Sequence, residues 1–307
     1  MLIANPIYDT TFKHLMKDTE IATFFIETLI QEPVYDVQMQ PQEYTYYDKA
    51  EKLTFFRLDF VATIRSEDGS RRKILIEIQK AKNEMDVMRF RKYLGEHYKK
   101  EDTVDTTEGK ITLALPIITI YLLGFKLLEI PTAAAKIGRQ YIDLIENEVI
   151  PVKDEFVEQL THDCIVVQLP RIQGSIKTKL EKLLSVFEQA HFVEAGQEAY
   201  KNYATPIDDN RIQKMVDVLV YAAADPEKRK ELEAEAESRR ILDAYYREKM
   251  YKIRKLERVL SENKRTISEN KRTISEKERT ISEKERTISE KDRIIAELQA
   301  KLEQKGG

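Results

Sequence analysis

The sequence predicts an α/β fold: an αβββαβ core with added helices and a C-terminal coiled coil. Three observations predict it. Helical spacing of apolar residues near the start gives way to two strand-like segments joined by a Glu-Asp-Gly-Ser turn. A polar helix and then a very apolar strand follow. The last fifth of the chain repeats every seven residues without Gly or Pro until its end, the signature of a supercoiled helix.

In order along the chain, residues 9–31 place Phe12, Leu15, Met16, Phe24, Phe25 and Leu29 on one helical face, as one or two amphipathic helices. Asp9 stands where a helix N-cap is expected. Residues 34–47 read as extended, and 53–64 (LTFFRLDFVATI) as a strand. Glu67-Asp68-Gly69-Ser70 signals a hairpin, from which 73–81 (KILIEIQKA) returns. A polar helix over 83–100 precedes the apolar run 111–123, which suits a central strand covered on both faces. Beyond it we expect a helix over 133–147, a strand over 164–169, and helices over 176–191 and 208–224. Helical character resumes near Pro226. The domain reading is a globular domain over 1–225, a helical connector over 226–250 and a coil over 251–305.

In the repeat, Ile267, Ile274, Ile281 and Ile288 occupy heptad position a, with Leu260, Ile295 and Leu302 in the same column. Position d holds Asn263, Asn270, Lys277, Lys284 and Lys291 between Leu256 and Leu298. One apolar residue per heptad halves the usual buried area, so the expected coil is weak, with Asn and Lys setting register. The tail predicts a homo-oligomer through 251–305; the competing reading is a single solvated helix laced by Glu–Lys and Glu–Arg pairs.

Composition narrows the function classes. The chain of 307 residues has a hydrophobic fraction of 42%, enough for a core. No stretch is long and apolar enough to predict a membrane span, and the start MLIANPIYDT lacks the order of a signal peptide. The single cysteine, Cys164, excludes an internal disulfide and a cysteine-rich zinc site, so a cytoplasmic location is expected. Net charge is −3 overall, but residues 251–307 carry 16 Lys/Arg against 11 Asp/Glu, leaving 35 against 43 elsewhere. A nucleic-acid-binding face on the acidic body would have to be a local patch.

The chemistry concentrates on the hairpin. Asp59 interrupts one apolar strand and Glu77 the next, and a charge among core residues is costly without a partner. If the turn centres near Asp68, the two acids face each other, and Gln79, two residues on, shares Glu77's face. Paired carboxylates repel; a hard divalent cation with oxygen ligands, Mg²⁺ or Mn²⁺, would relieve this. Elsewhere the signals are weaker. His14, His97, His162 and His191 lack metal spacing, and adjacent His162-Asp163-Cys164 would point apart on a strand. No phosphate-binding glycine loop is present.

The αβββαβ order, with D-T-T-F-K at 9–13, L-D-F-V-A around Asp59, the glycine turn and I-E-I-Q around Glu77, resembles the PD-(D/E)XK nucleases. More closely, it is similar to the recombination-promoting nuclease/putative transposase family, in which Gln commonly replaces the motif lysine. Arg89 and Tyr93 match that family's R-x(3)-Y stretch, and Leu58 stands where the motif has proline. The likeness covers about residues 5–125. It implies a restriction-endonuclease-like core and a Mg²⁺-dependent (or Mn²⁺-dependent) DNA endonuclease of recombination or mobile-element biology. Asp59 and Glu77 would hold the metal, which activates water and offsets charge on phosphate. Gln79 would orient water or phosphate, and Lys80 or Lys82 would approach from the next turn. Arg89 would hold a phosphate or make a surface salt bridge, and Tyr93 would pack. Glu27 is either a further carboxylate or part of a solvated helix face. The alternative function is a catalytically inactive nuclease-fold scaffold that binds partners through its coil. If the tail makes dimers, they could set two active sites on opposite strands of a duplex.

Overall fold

The computed structural model describes residues 1–48, 53–79, 84–106, 109–172, 176–194 and 197–305. Side chains are described there except at 39–48, 53–59, 84–89, 105–106, 194, 197, 300 and 302–305. The elements in order are β1 (Leu2–Ala4), α1 (Asp9–Met16), α2 (Thr19–Ile30), β2 (Asp36–Asp48), β3 (Leu53–Arg65), β4 (Arg71–Gln79) and α3 (Glu84–Lys99). Then come β5 (Asp102–Thr106), β6 (Gly109–Leu113), β7 (Ile117–Leu123), β8 (Ala134–Ile137), β9 (Tyr141–Ile142), β10 (Val149–Ile150), α4 (Glu155–Leu160) and β11 (His162–Gln168). Last are α5 (Lys179–Val186), β12 (Phe192–Glu194), β13 (Gln197–Asn202), α6 (Asn210–Ala224) and α7 (Pro226–Lys305). The chain divides into two compact units, Met1–Arg240 and Ile241–Gly307.

The first unit is a mixed α/β domain. Its six-stranded sheet has the order β2-β3-β4-β7-β11-β8, with β7 parallel to both β4 and β11 and the other pairs antiparallel. The β3–β4 hairpin closes where the turn residues predict. Gly69 takes φ 83°, open to glycine at no steric cost, and the Asp68 carboxylate accepts from the Ser70 backbone N–H at 2.9 Å and its hydroxyl at 2.6 Å. Alternation then sorts the side chains. Phe60, Ala62 and Ile64, with Ile74, Ile76 and Ile78, enter the larger core under α1 and α2. There Phe12 lies edge-on to Phe60 at 4.8 Å and to Phe25 at 5.5 Å. The opposite face buries Val61, Leu75 and Ile117 against Phe90, Tyr93 and Leu94 of α3. Among the described residues, no helix is long and apolar enough to cross a membrane.

Several expectations are corrected. The apolar run 111–123 is two strands: β6 pairs with β5 in a separate ladder, where Ile111 is 47% exposed, and only β7 enters the main sheet. Pro116 divides them, because it has no N–H for a central ladder; its carbonyl instead accepts from the Lys73 N–H at 2.9 Å. Residues 133–147 are not helical. β8 takes the sheet edge against β11, and β9 pairs with β10 around Asn147 at φ 57°. A ladder partner outweighs the helix preference of three alanines. The helix expected over 176–191 is confined to α5, which opens on a Thr178–Glu181 capping box. Asp9 is not an N-cap. Tyr8 holds that position, and the Glu235 carboxylate of α7 accepts from the N–H groups of Asp9 and Thr10, both at 2.9 Å. Arg239 bridges Asp9 and Glu235 at 3.0 Å each, which ties the start of α7 to α1.

Candidate active site

The site is built by two ladders that end at different places. The β3–β4 pairing runs from Arg65↔Arg71 to Phe60↔Ile76, and its symmetry about position 68 makes Asp59 and Glu77 the next residues on the two strands. From there β3 stays with β2, Asp59 opposite Gln42, while β4 stays with β7, Glu77 beside Tyr121 and Gln79 beside Leu123. Asp59 and Glu77 therefore stand at a fork in the sheet. Strand alternation assigns Glu77 and Gln79 to the face covered by α3. Glu77 is 2% exposed and Gln79 8%, so a carboxylate and an amide are buried on this face. The Asp59 and Arg89 side chains, and Lys80 and Lys82 entirely, lie outside the described residues. Among the described residues, no three His, Cys, Asp or Glu side chains gather as a metal cluster.

Tyr121 is the neighbour that sequence reasoning missed. It sits beside Glu77 in the parallel ladder, with the Phe90 ring edge-on at 4.5 Å. Burial first, then the charges of Cys164 and Glu77, push its phenol up against a hydrogen bond to Thr119 that lowers it, so the phenol stays protonated. Its only sequence signal is a phenol hydroxyl in the otherwise largely apolar run IITIYLL, which it shares with Thr119. Tyr93 is buried and packs on His97 at 4.5 Å.

The remaining candidates separate. Glu27 meets Lys179 at 2.5 Å and Arg211 at 3.6 Å, an ion-pair role that links α2 to α5 and α6. His162 and Asp163 diverge: the His162 Nδ1 meets the Tyr98 hydroxyl at 2.9 Å, and Asp163 meets Arg139 at 3.0 Å. Burial raises the Cys164 thiol, so it is no activated nucleophile. Comparison of the chain with protein-family models, with curated proteins and with solved structures finds no match.

Four residues before Glu77 on the same face, buried Lys73 holds the Asp102 carboxylate, with Nζ 2.5 Å from Oδ1. The contact lies off the hydrogen-bonding direction, so it is an ion contact first. The other oxygen of Asp102 accepts from the Leu115 N–H at 3.2 Å. Beside them His97 is 5% exposed, and burial, then the charges of Lys73 and Lys100, lower its pKa to about 4 against an opposing pull from Asp102. The folded chain keeps this imidazole neutral above that pH, whereas the unfolded chain takes up the proton near the ordinary 6.5. Stability should therefore fall as pH drops from about 6.5 to about 4, by about 2–3 kcal/mol from this group. Urea unfolding at pH 7 and pH 4.5 checks this. His97→Gln should lack that component, and equal slopes in wild type and variant would remove the assignment.

Proposed function

We propose that this chain is a metal-dependent DNA endonuclease with a PD-(D/E)XK, restriction-endonuclease-like core, serving recombination or mobile-element biology. The fork that brings Asp59 and Glu77 to adjoining strands, with Glu77 buried, carries the reading. A buried acid one strand from the position of a second acid fits a site for a cation. The order α1-α2-β2-β3-β4-α3-β5-β6-β7 supports it: apart from the separate β5–β6 ladder, it is the αβββαβ order of the motif resemblance.

Asp59 and Glu77 would hold Mg²⁺ or Mn²⁺. Carboxylates and the Gln79 amide offer oxygen donors only, which suits a hard cation. When bound, the ion supplies Lewis acidity and a water of lowered pKa. Gln79 can carry neither positive charge nor a labile proton, so its part is to orient a water or phosphate oxygen. Tyr121 stands beside Glu77 in the ladder, with its hydroxyl in a hydrogen bond to Thr119.

Purified protein with Mg²⁺ or Mn²⁺ and supercoiled plasmid tests the reading, with Asp59→Ala alongside. Nicking by wild type alone is the expected result. No nicking by either chain, with no Mn²⁺ bound, would replace the nuclease with the inactive scaffold.

A further inference from the structure

In the second unit, charges divide by heptad position into those that the helix satisfies itself and those that it cannot. Arg residues at f reach Glu at c one turn on: Arg265–Glu269 at 3.1 Å, Arg272–Glu276 at 3.3 Å and Arg293–Glu297 at 3.5 Å. Threonines at g bond back to carbonyls one turn earlier, as Thr266 does to Glu262 at 3.1 Å and Thr287 to Glu283 at 2.9 Å. The d and e positions differ. Lys277 has only Thr273, Ile274, Thr280 and Ile281 three and four residues away, and Glu278 only Ile and Ser. The same holds for Lys284 with Glu285 and for Lys291 with Asp292, whose neighbours at those spacings are Thr, Ile, Ser or Ala. Adjacent residues on a helix do not face each other, so within the helix these lysines and acids have no opposite charge in reach. Between them runs the isoleucine column, with Ile267, Ile274 and Ile281 each 55% exposed.

We infer that this face pairs with the same face of a second copy of the chain, parallel and in register. In a parallel two-stranded coil, a residue at d packs into a hole that includes e of the partner helix. Lys277 then shares its layer with its own copy and reaches Glu278 of the partner subunit, which offsets the like charge, and the Lys284–Glu285 and Lys291–Asp292 levels repeat the exchange in both directions. Asn263 and Asn270 meet their own copies, an arrangement by which a single polar layer sets register. The a layers are Ile on Ile, and the polar Asn or Lys at d specifies oligomer state at a cost in stability. An antiparallel coil sets a against d, so each level would press isoleucine on Asn or Lys and leave buried polar groups unmatched. Dry and polar layers stay separate only in the parallel form. Two chains joined in this way carry two Asp59–Glu77 pairs, a consequence that rests on the nuclease reading; the pairing itself does not.

Light scattering on the full chain should give twice the chain mass; a single-chain mass overturns the inference. Two variants then test the charges. One carries Lys277→Glu, Lys284→Glu and Lys291→Glu; the other carries Glu278→Lys, Glu285→Lys and Asp292→Lys. Neither set breaks a pair within its own helix. Each alone should associate at least about 10-fold more weakly than wild type, and an equimolar mixture should form the mixed dimer. Wild-type affinity in either alone overturns the charge pairing. Asn270→Cys fixes orientation: mild oxidation should link 270 to 270 across the dimer, with wild type, whose one thiol is Cys164, as control. A dimer that never forms this disulfide is not parallel and in register.

Discussion

Glu77→Gln is expected to lower plasmid nicking by on the order of 10³-fold or more at saturating Mg²⁺, while the fold persists. The substitution keeps side-chain volume and the capacity to accept a hydrogen bond, and removes only the charge that would hold a cation. Glu77 is buried in a ladder that continues past it to Gln79, so an isosteric amide leaves the backbone and the Phe90–Tyr121 contact in place. Stability in the absence of metal should change by no more than about 1 kcal/mol, since no volume is lost. Mn²⁺ binding, followed by calorimetry, should weaken in parallel with cleavage. Gln79→Ala is the graded comparison: a residue that orients a water or phosphate without holding the metal should cost about 10–100-fold. Full cleavage by Glu77→Gln would remove Glu77 from the site, whatever Asp59 does. Loss of cleavage with Mn²⁺ affinity intact would turn Glu77 into a positioning group and leave the metal to other donors.

How much of this was legible in the sequence depends on how local each constraint is. The register that ends at Phe60↔Ile76, one residue short of Asp59 and Glu77, follows from a turn whose chemistry is written in four consecutive residues and from the period of two along each strand. The coil likewise repeats its own rule every seven residues. Tyr121 and the Lys73–Asp102 pair were invisible for the opposite reason. Tyr121 comes beside Glu77 only because β4 and β7 pair in parallel across the intervening α3 and the β5–β6 ladder, and no periodicity sets that register. The helix expected over 133–147 failed in the same way. Its alanines do prefer a helix, but β11, some 30 residues later, supplies the ladder that makes Ala134–Ile137 an edge strand. Pro116 was visible as an interruption of 111–123. That the residues before it would leave the sheet for a separate hairpin depended on β5, whose sequence DTVDT gives little strand signal.

Asp102→Ala is expected to be the most destabilising single substitution in the cluster behind the site, at about 3–5 kcal/mol. Lys73 is held on the central strand β4, its side chain 4% exposed, and Asp102 at the start of β5 faces it at 2.5 Å with 14% exposure. Removing the carboxylate leaves an ammonium without its counter-charge and the Leu115 N–H without its acceptor. In a unit of this size the loss should lower the unfolding midpoint by roughly 10 °C. Lys73→Met is the informative counterpart. It removes the buried cation, keeps most of the volume, and leaves Asp102 its backbone donor and partial access to water, so it should cost less than Asp102→Ala. The double variant should cost less than the sum of the two, with a coupling of at least about 2 kcal/mol. An Asp102→Ala cost under about 1 kcal/mol, or additive effects, would show that the pair is screened rather than buried. The two single variants should also part in their acid response, because Lys73 and Asp102 pull His97 in opposite directions. Lys73→Met relieves part of what holds the imidazole down and should shallow the stability loss between pH 6.5 and 4. Asp102→Ala removes an opposing pull on His97 and should steepen it. Opposite changes in slope are what a charged cluster produces; a change of the same sign in both would mean that the pH response reports loosened packing around α3 instead.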